Sequence, residues 1–249
     1  MSFDVEHEIE AAIASIGGQH TSKLVGRVPG HENADFVFTE TSVIAELKCL
    51  DEDKINDRRI IKKASDIYAE ELRSGRTKKI LFGSRRMTTK GFSEEYTRKI
   101  ASLYRVPIER QIKKANSQIA TTAVKLGMSE FKGLLIIANN NHSALDPGHG
   151  WYIMNEILNQ PVYDSINSAI YLSGNLAAAV PGNTQRLDYW IEITRPHRPA
   201  INEKFLIALR NAWYQHLSKL FREPQFRLVD SDLQTLMQLE SKRGTTPSS

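Results

Sequence analysis

An α/β fold is expected for this chain of 249 residues, because two kinds of hydrophobic pattern alternate along it. Residues 4 to 16 and 107 to 126 repeat apolar side chains at helical spacing. Residues 34 to 50 and 132 to 141 instead form short apolar runs, which are typical of strands. The same alternation of helices and strands is expected in the last hundred residues.

The length and a hydrophobic content of 41% are sufficient to bury a full core. We expect one domain over residues 1 to 240, with a basic helical insertion at about 51 to 105 and a C-terminal α/β extension at about 141 to 240. The last residues, 241 to 249, are too polar to pack and are predicted to be a disordered tail.

The single cysteine, Cys49, excludes an intramolecular disulfide and a cysteine-based zinc cluster, and it suits a reducing compartment. The N-terminal region lacks the basic-then-apolar layout of a signal peptide. No apolar run approaches the roughly 20 residues that span a bilayer. A cytoplasmic protein without a membrane segment is therefore expected.

In the first half of the chain, a helix is predicted over residues 4 to 16, with Asp4 as its cap. A strand is expected within residues 22 to 28, followed by a hairpin over 34 to 50. Two helices are predicted at 53 to 75 and 93 to 104, with a short strand near 79 to 84 between them.

Pro107 is expected to open a separate long helix that ends near residue 126. A buried strand is predicted at 132 to 141. The remaining elements are a helix at 151 to 159, strands at 168 to 173 and 188 to 196, and an amphipathic helix at 202 to 221.

The hairpin sequence ADFVFTETSVIAELKCL contains ionisable residues among apolar ones. If its bend is centred on Glu40 and Thr41, antiparallel pairing sets Asp35 directly opposite Glu46, and a shift by one residue would undo that pairing. Lys48 lies two residues after Glu46 and therefore on the same face. Two opposed carboxylates destabilise a sheet unless a positive charge lies between them.

A divalent cation would supply that charge, since Mg²⁺ and Mn²⁺ prefer carboxylate, water and phosphate oxygens. Lys48 would then orient or deprotonate an attacking water, or stabilise negative charge that develops on a phosphoryl group. The sequence thus favours metal-dependent phosphodiester hydrolysis. The alternative is an exposed strand face with an ordinary Glu/Lys pair.

These residues resemble the PD-(D/E)xK nuclease superfamily, the restriction-endonuclease-like fold. Asp35 begins one strand, and Glu46, Leu47 and Lys48 form an ELK motif on the next. The predicted order of helix, three strands, long helix and strand is similar to the family's αβββαβ core, a three-layer arrangement with a mixed sheet flanked by helices. Ala34 stands where the family often has proline, and the insertion is longer than a minimal core needs. The resemblance covers residues 3 to 140.

The resemblance implies further site residues. Many members add a carboxylate from the first helix, and Glu6 has the matching distance, eleven residues, to Gly17. Related nucleases also use a glutamine or lysine on the long helix to hold the site or contact phosphate. Gln118, expected as a catalytic residue, and Lys114, expected to contact DNA, occupy such positions, although ordinary polar flanking of an amphipathic helix explains them equally.

The segment from residue 51 to 114 carries 18 Lys or Arg against 10 Asp or Glu. This asymmetry indicates a surface that faces a polyanion, with a solvated set of helix faces as the alternative. The residues expected to contact phosphate are Arg58, Arg59, Lys62, Lys63, Arg85 and Arg86.

The expected function is hydrolysis of DNA phosphodiesters with Mg²⁺, for which Mn²⁺ can substitute, in restriction, phage defence or repair. RNA is not excluded as a substrate, and cutting both strands of a duplex would call for a pair of sites, as in a homodimer. The alternative is a nucleic-acid-binding or assembly protein that keeps the fold without cleaving.

Overall fold

The computed structural model describes residues 4–25, 32–50, 58–75, 93–140, 145, 147–180 and 183–222. These residues form a mixed sheet of six strands, arranged in sequence order from β1 to β6. The strands are β1 (Gln19–His20), β2 (Phe36–Phe38), β3 (Val43–Leu50), β4 (Lys132–Asn139), β5 (Ser168–Val180) and β6 (Asn183–Thr194). The helices are α1 (Val5–Ser15), α2 (Ser22–Val25), α3 (Arg58–Arg73), α4 (Glu94–Leu126), α5 (Pro147–Leu158) and α6 (Glu203–Phe221).

The sheet combines antiparallel and parallel pairs. Strands β1, β2 and β3 pair antiparallel, β3, β4 and β5 pair parallel, and β6 returns antiparallel to β5. The parallel connections pass through helices, as such crossovers require. The predicted α/β class, with a mixed sheet flanked by helices, is therefore confirmed for the described residues.

Helices cover both faces of the sheet. On one face, α4 and α5 pack on residues such as Ile44 and Ile137. On the other, α1 and α6 pack on residues such as Ala45 and Ile136. Because neighbouring strand residues point to opposite faces, the chain alternates between these two cores along β3 and β4. Glu46 and Lys48 share the parity of Ile44 and so lie on the α4 face.

The structure confirms the predictions for the first helix and for the hairpin. Asp4 caps α1 by accepting from the Glu6 amide at 3.1 Å. In the hairpin, Val37 pairs with Ile44 as expected, and a 3₁₀ turn at Thr39–Thr41 makes the bend. When this register is extended beyond Phe36 and Ala45, Asp35 lies opposite Glu46, as predicted.

The strand expected within residues 22 to 28 is wrong for the described part of that range. Residues Ser22–Val25 form the short helix α2, and the amides of Leu24 and Val25 both bond the Thr21 carbonyl. The strand that pairs with β2 is instead β1, only two residues long. The local helical hydrogen bonds to Thr21 thus outweigh the weak strand preference of this segment.

Pro107 does not open a helix, contrary to the prediction; it lies inside the 33-residue helix α4. A proline ring removes one N–H and usually breaks a helix. Here Tyr104, Ile108 and Ile112 are four residues apart and all pack on the same core, so the apolar face continues across the proline. Burial of this face compensates for the lost hydrogen bond.

We expect Pro107→Ala to raise the free energy of unfolding by about 1–3 kcal/mol, because a helix-interior proline gives way to the best helix former. Urea unfolding followed by circular dichroism measures this. Val106→Ala, at an exposed neighbouring position, is the matched control and should change stability little. No stabilisation by Pro107→Ala would indicate that a helix starts at Pro107 after all.

Helix α3 occupies part of the expected helical insertion and packs on α4 through a buried carboxylate. Glu71 is 2% exposed and accepts from the amide of Ser93 at 3.2 Å and from its hydroxyl at 3.1 Å. Ser93 is the N-cap of α4, so the carboxyl group of Glu71 lies at the positive end of that helix. The strand expected near residues 79 to 84 lies outside the described residues.

The C-terminal extension completes the sheet and the second helical layer. Strands β5 and β6 are longer than the predicted ones, and α6 matches its predicted range closely. The predicted tail at 241 to 249 lies outside the described residues. Across the described ranges, no helix is long and apolar enough to cross a membrane.

Candidate active site

Asp35 and Glu46 face each other at the open end of the β2–β3 hairpin. The β2–β3 ladder pairs Phe36 with Ala45. At the next position the carboxylates of Asp35 and Glu46, and not backbone carbonyls, accept hydrogen bonds from the opposite strand. The Asp35 amide donates to Glu46 Oε2 at 3.0 Å, and the Leu47 amide donates to Asp35 Oδ2 at 2.9 Å. Each carboxylate is therefore held by the backbone of the opposite strand.

Glu46 is fully buried, with a relative exposure of 0%. Burial raises the pKa of its carboxyl group to about 8, and the neighbouring Asp35 acts in the same direction. The ammonium of Lys48 lies against Glu46 Oε1 and lowers that pKa, but it does not overcome the cost of burial. At neutral pH, a proton or a second cation is needed to balance this pair of acids.

Gln118, predicted as a catalytic residue, lies on α4 over the same face of the sheet but contacts the backbone. Its Nε2 donates to the carbonyl oxygen of Asn33 at 3.0 Å. Its Oε1 is buried and has no hydrogen-bond partner among the residues that the structure describes. Gln118 therefore holds the segment that leads into Asp35 rather than reaching the carboxylates through its amide nitrogen.

Lys114, predicted to contact DNA, forms an ion pair with Glu32 at 2.7 Å and is half exposed. The hydrogen bond from Lys114 lowers the pKa of Glu32, and the charge of Lys48 contributes in the same direction. Glu32 thus links Lys114 electrostatically to the candidate site. Sequence reasoning missed Glu32, for which the only signal was its position three residues before Asp35.

Glu6, predicted as a metal ligand, lies on α1, which packs on the sheet face opposite to that of Glu46. Its side chain is exposed. Among the described residues, no three His, Cys, Asp or Glu side chains come together as a metal-binding group. The structure therefore brings Asp35 and Glu46 together but does not add Glu6 to them.

The basic residues predicted to bind DNA fall into two groups. Arg58, Arg59, Lys62 and Lys63 are exposed on the first turns of α3, and Lys62 pairs with Asp66 at 2.9 Å. Arg85 and Arg86 lie outside the described residues. The end of α3 contacts the start of α4, where Glu70 pairs with Lys99 at 2.9 Å. The basic turns therefore lie at the opposite end of α3 from this contact.

The donor set of the site suits a hard divalent cation. Asp35 and Glu46 offer carboxylate oxygens only, and each such oxygen accepts more than one bond, so their backbone contacts leave lone pairs for an ion. Cys49, on the other face, packs on the second core and does not join them. Two carboxylates and one ammonium, on one partly buried strand face, can hold a cation beside a proton-transferring or charge-stabilising group.

No protein-family model, curated protein sequence or solved structure matches the chain.

Proposed function

We propose that this protein is a metal-dependent nuclease of the PD-(D/E)xK type that hydrolyses phosphodiester bonds of DNA. The observation that carries the proposal is the buried Glu46, which faces Asp35 and contacts the Lys48 ammonium. A purely structural hairpin has no need of two carboxylates at one pair position, since their repulsion and burial oppose folding.

Asp35 and Glu46 would hold one or two Mg²⁺ ions, for which Mn²⁺ can substitute. The ion supplies polarisation of the phosphoryl group and activation of water. Glu46 must release its proton to act as a ligand, because burial and Asp35 favour its protonated form. Cation binding and proton release at Glu46 are therefore coupled.

Lys48 supplies the third function of the site. Its side chain is 12% exposed, so the ammonium is largely shielded from water and its charge acts at close range. As an ammonium it can orient an attacking water or stabilise charge on the phosphoryl oxygens, and only as the neutral amine could it take a proton from that water. All three roles require a position beside Glu46, where the ammonium lies.

Basic side chains on the α4 side of the site would bind the DNA backbone. Lys114 is half exposed beside Glu32, and Arg59 and Lys63 are exposed on the first turns of α3. Contacts of this type neutralise phosphates without reading sequence, and they release counterions. Affinity should therefore fall steeply with salt.

The double variant Arg59→Ala/Lys63→Ala is expected to reduce the slope of log affinity against log salt by about 2, because each lost phosphate contact removes nearly one unit. Fluorescence anisotropy with a labelled duplex, in EDTA, measures this slope. Lys204→Ala/Lys219→Ala, on helix α6 over the opposite face, is the matched control and should leave it unchanged. Equal slopes for the wild type and both double variants would show that Arg59 and Lys63 on α3 do not contact the DNA.

The proposal is tested by cleavage of supercoiled plasmid, linear duplex, single-stranded DNA and RNA at low salt, with Mg²⁺, Mn²⁺ or EDTA. Nicking that needs the metal and is lost in Asp35→Asn supports it. The rival, a binding protein that retains the fold, predicts no cleavage of any substrate and metal-independent DNA binding that tolerates Lys48→Ala.

A further inference from the structure

The segment that leads into Asp35 has no regular secondary structure, yet its backbone is fully bonded. From the carbonyl of Asn33 to the carbonyl of Asp35 there are five consecutive backbone polar groups, and each has a partner. Side chains supply four of these partners: Gln118 for the Asn33 carbonyl, Thr122 for the Ala34 amide, Thr21 for the Ala34 carbonyl and Glu46 for the Asp35 amide. The fifth is the Thr21 amide, which donates to the Asp35 carbonyl at 3.0 Å.

The Ala34 amide is a buried backbone group with a side-chain acceptor. It donates to Thr122 Oγ1 at 2.7 Å, and both residues are buried, with exposures of 1% and 0%. A buried amide that loses its acceptor is strongly disfavoured, so this bond fixes the chain immediately before Asp35 on helix α4. The two residues are 88 positions apart in sequence, which makes the bond a tertiary constraint.

Ala34 occupies the position at which a proline would stiffen the chain. A proline ring fixes φ and removes the amide hydrogen, so it needs no acceptor. Alanine restricts φ much less and leaves a donor, which is the donor that Thr122 binds. Ala34 is not among the positive-φ residues of the described chain, so it does not have the left-handed conformation that a proline cannot adopt.

We propose that Thr122 is a positioning residue for Asp35, and that its bond to the Ala34 amide replaces the stiffness of a proline at position 34. This inference rests on the proposed function for its link to catalysis. Thr122 acts through the backbone and not on the substrate. Its loss lets the Asp35 carboxylate move relative to Glu46, and small displacements of a site group cost large factors in rate.

The test compares four variants. Thr122→Val keeps the shape but loses the acceptor, and Thr122→Ser keeps the acceptor. Thr122→Val/Ala34→Pro removes the unsatisfied amide and restores the stiffness. Asn116→Ala is the matched control, because Asn116 also lies on α4 and accepts a backbone amide, that of Ser165 at 2.9 Å, but away from Asp35.

For cleavage of a duplex with Mg²⁺, we expect Thr122→Val to lower kcat about 10- to 100-fold with KM little changed. Thr122→Ser should remain within a few-fold of the wild type, and the double variant should recover most of the lost kcat. Asn116→Ala should lose stability but keep kcat. Equal kcat losses in Thr122→Val and Asn116→Ala would overturn the proposal. If the double variant does not fold, equal losses in the serine and valine variants would overturn it.

Amide hydrogen exchange separates this inference from the nuclease proposal. Thr122→Val should speed exchange of the Ala34 and Asp35 amides at least tenfold, while Asn116→Ala leaves both unchanged. If Thr122→Val speeds this exchange but the wild type cleaves no substrate, the positioning role of Thr122 is supported and the nuclease proposal is rejected. Unchanged exchange in Thr122→Val would reject the constraint whether or not the wild type cleaves.

Discussion

Lys48→Met and Asp35→Asn are each expected to lower metal-dependent cleavage by about 10²- to 10⁴-fold, the range found when a charge-stabilising or proton-transferring group is removed. Methionine keeps the length of the lysine stem but not its charge. Asparagine keeps an oxygen that can accept from the Leu47 amide, a bond of 2.9 Å in the wild type. Both changes therefore remove the charge of a site residue with little change in the shape of its side chain.

The two variants should differ in what they lose. Asp35→Asn should bind Mn²⁺ more weakly, since a charged ligand becomes neutral. Lys48→Met should still bind metal and DNA but turn over slowly. Single-turnover cleavage and calorimetric metal titration measure the two properties separately.

Lys132→Met is the matched control for the lysine variant. Lys132 also lies on a central strand, but it pairs with Val43 at the start of β3, whereas Lys48 pairs with Ile137 further along. This change should leave cleavage within a few-fold of the wild type. Full activity in Lys48→Met, or cleavage that persists in EDTA, would contradict the proposed chemistry.

The second large effect is a pH-dependent stability that Glu46→Gln removes. The pKa of Glu46 rises from its ordinary value of 4.5 to about 8 in the folded chain. Between these two values the native state binds more protons than the unfolded state, so the free energy of unfolding falls as pH rises. We expect a loss on the order of 3 kcal/mol between pH 5 and pH 8 in the absence of divalent cations.

Glu46→Gln carries no ionisable proton, so its stability should change much less over this window, and above about pH 8 it should exceed that of the wild type. Mg²⁺ should raise the melting temperature of the wild type at pH 8 and have little effect on the variant, because a ligand that binds only the native state stabilises it. Differential scanning fluorimetry across pH, with EDTA or Mg²⁺, measures both.

Glu192→Gln is the matched control for this variant, because Glu192 is also a strand carboxylate near a cation, Arg210, at 3.7 Å. It should keep the wild-type pH profile. A wild-type stability that is flat from pH 5 to pH 8, or an equal Mg²⁺ response in Glu46→Gln, would contradict the buried-acid interpretation.

The hairpin was predictable from sequence because its signals are local. Side-chain alternation and a short bend between Val37 and Ile44 determine the register, and the register places Asp35 opposite Glu46. The α1 N-cap and the buried strand β4 were predictable for the same reason, because their signals also lie in neighbouring residues. The degree of burial of Glu46 was not predictable, since it depends on how α4 and β4 cover the strand.

The errors arose where distant contacts decide the outcome. Pro107 signals a helix start locally, but packing of the apolar face carries α4 through it. Gln118 stays a predicted site residue, but the contact of its amide nitrogen with a carbonyl 85 residues away is one that the sequence does not indicate. No spacing in the sequence indicates the Thr122 bond to Ala34 or the ion pair of Glu32 with Lys114.

The crossed bonds of Asp35 and Glu46 have a consequence for how this site can change over time. Each carboxylate ends the hairpin by accepting an amide from the opposite strand, so a residue without an acceptor loses both a site group and a rung of the β2–β3 ladder. A lineage that abandoned the chemistry would still be under selection to keep hydrogen-bond acceptors at both positions. Asparagine and glutamine, which retain an oxygen there, are the replacements that such an inactive descendant should carry.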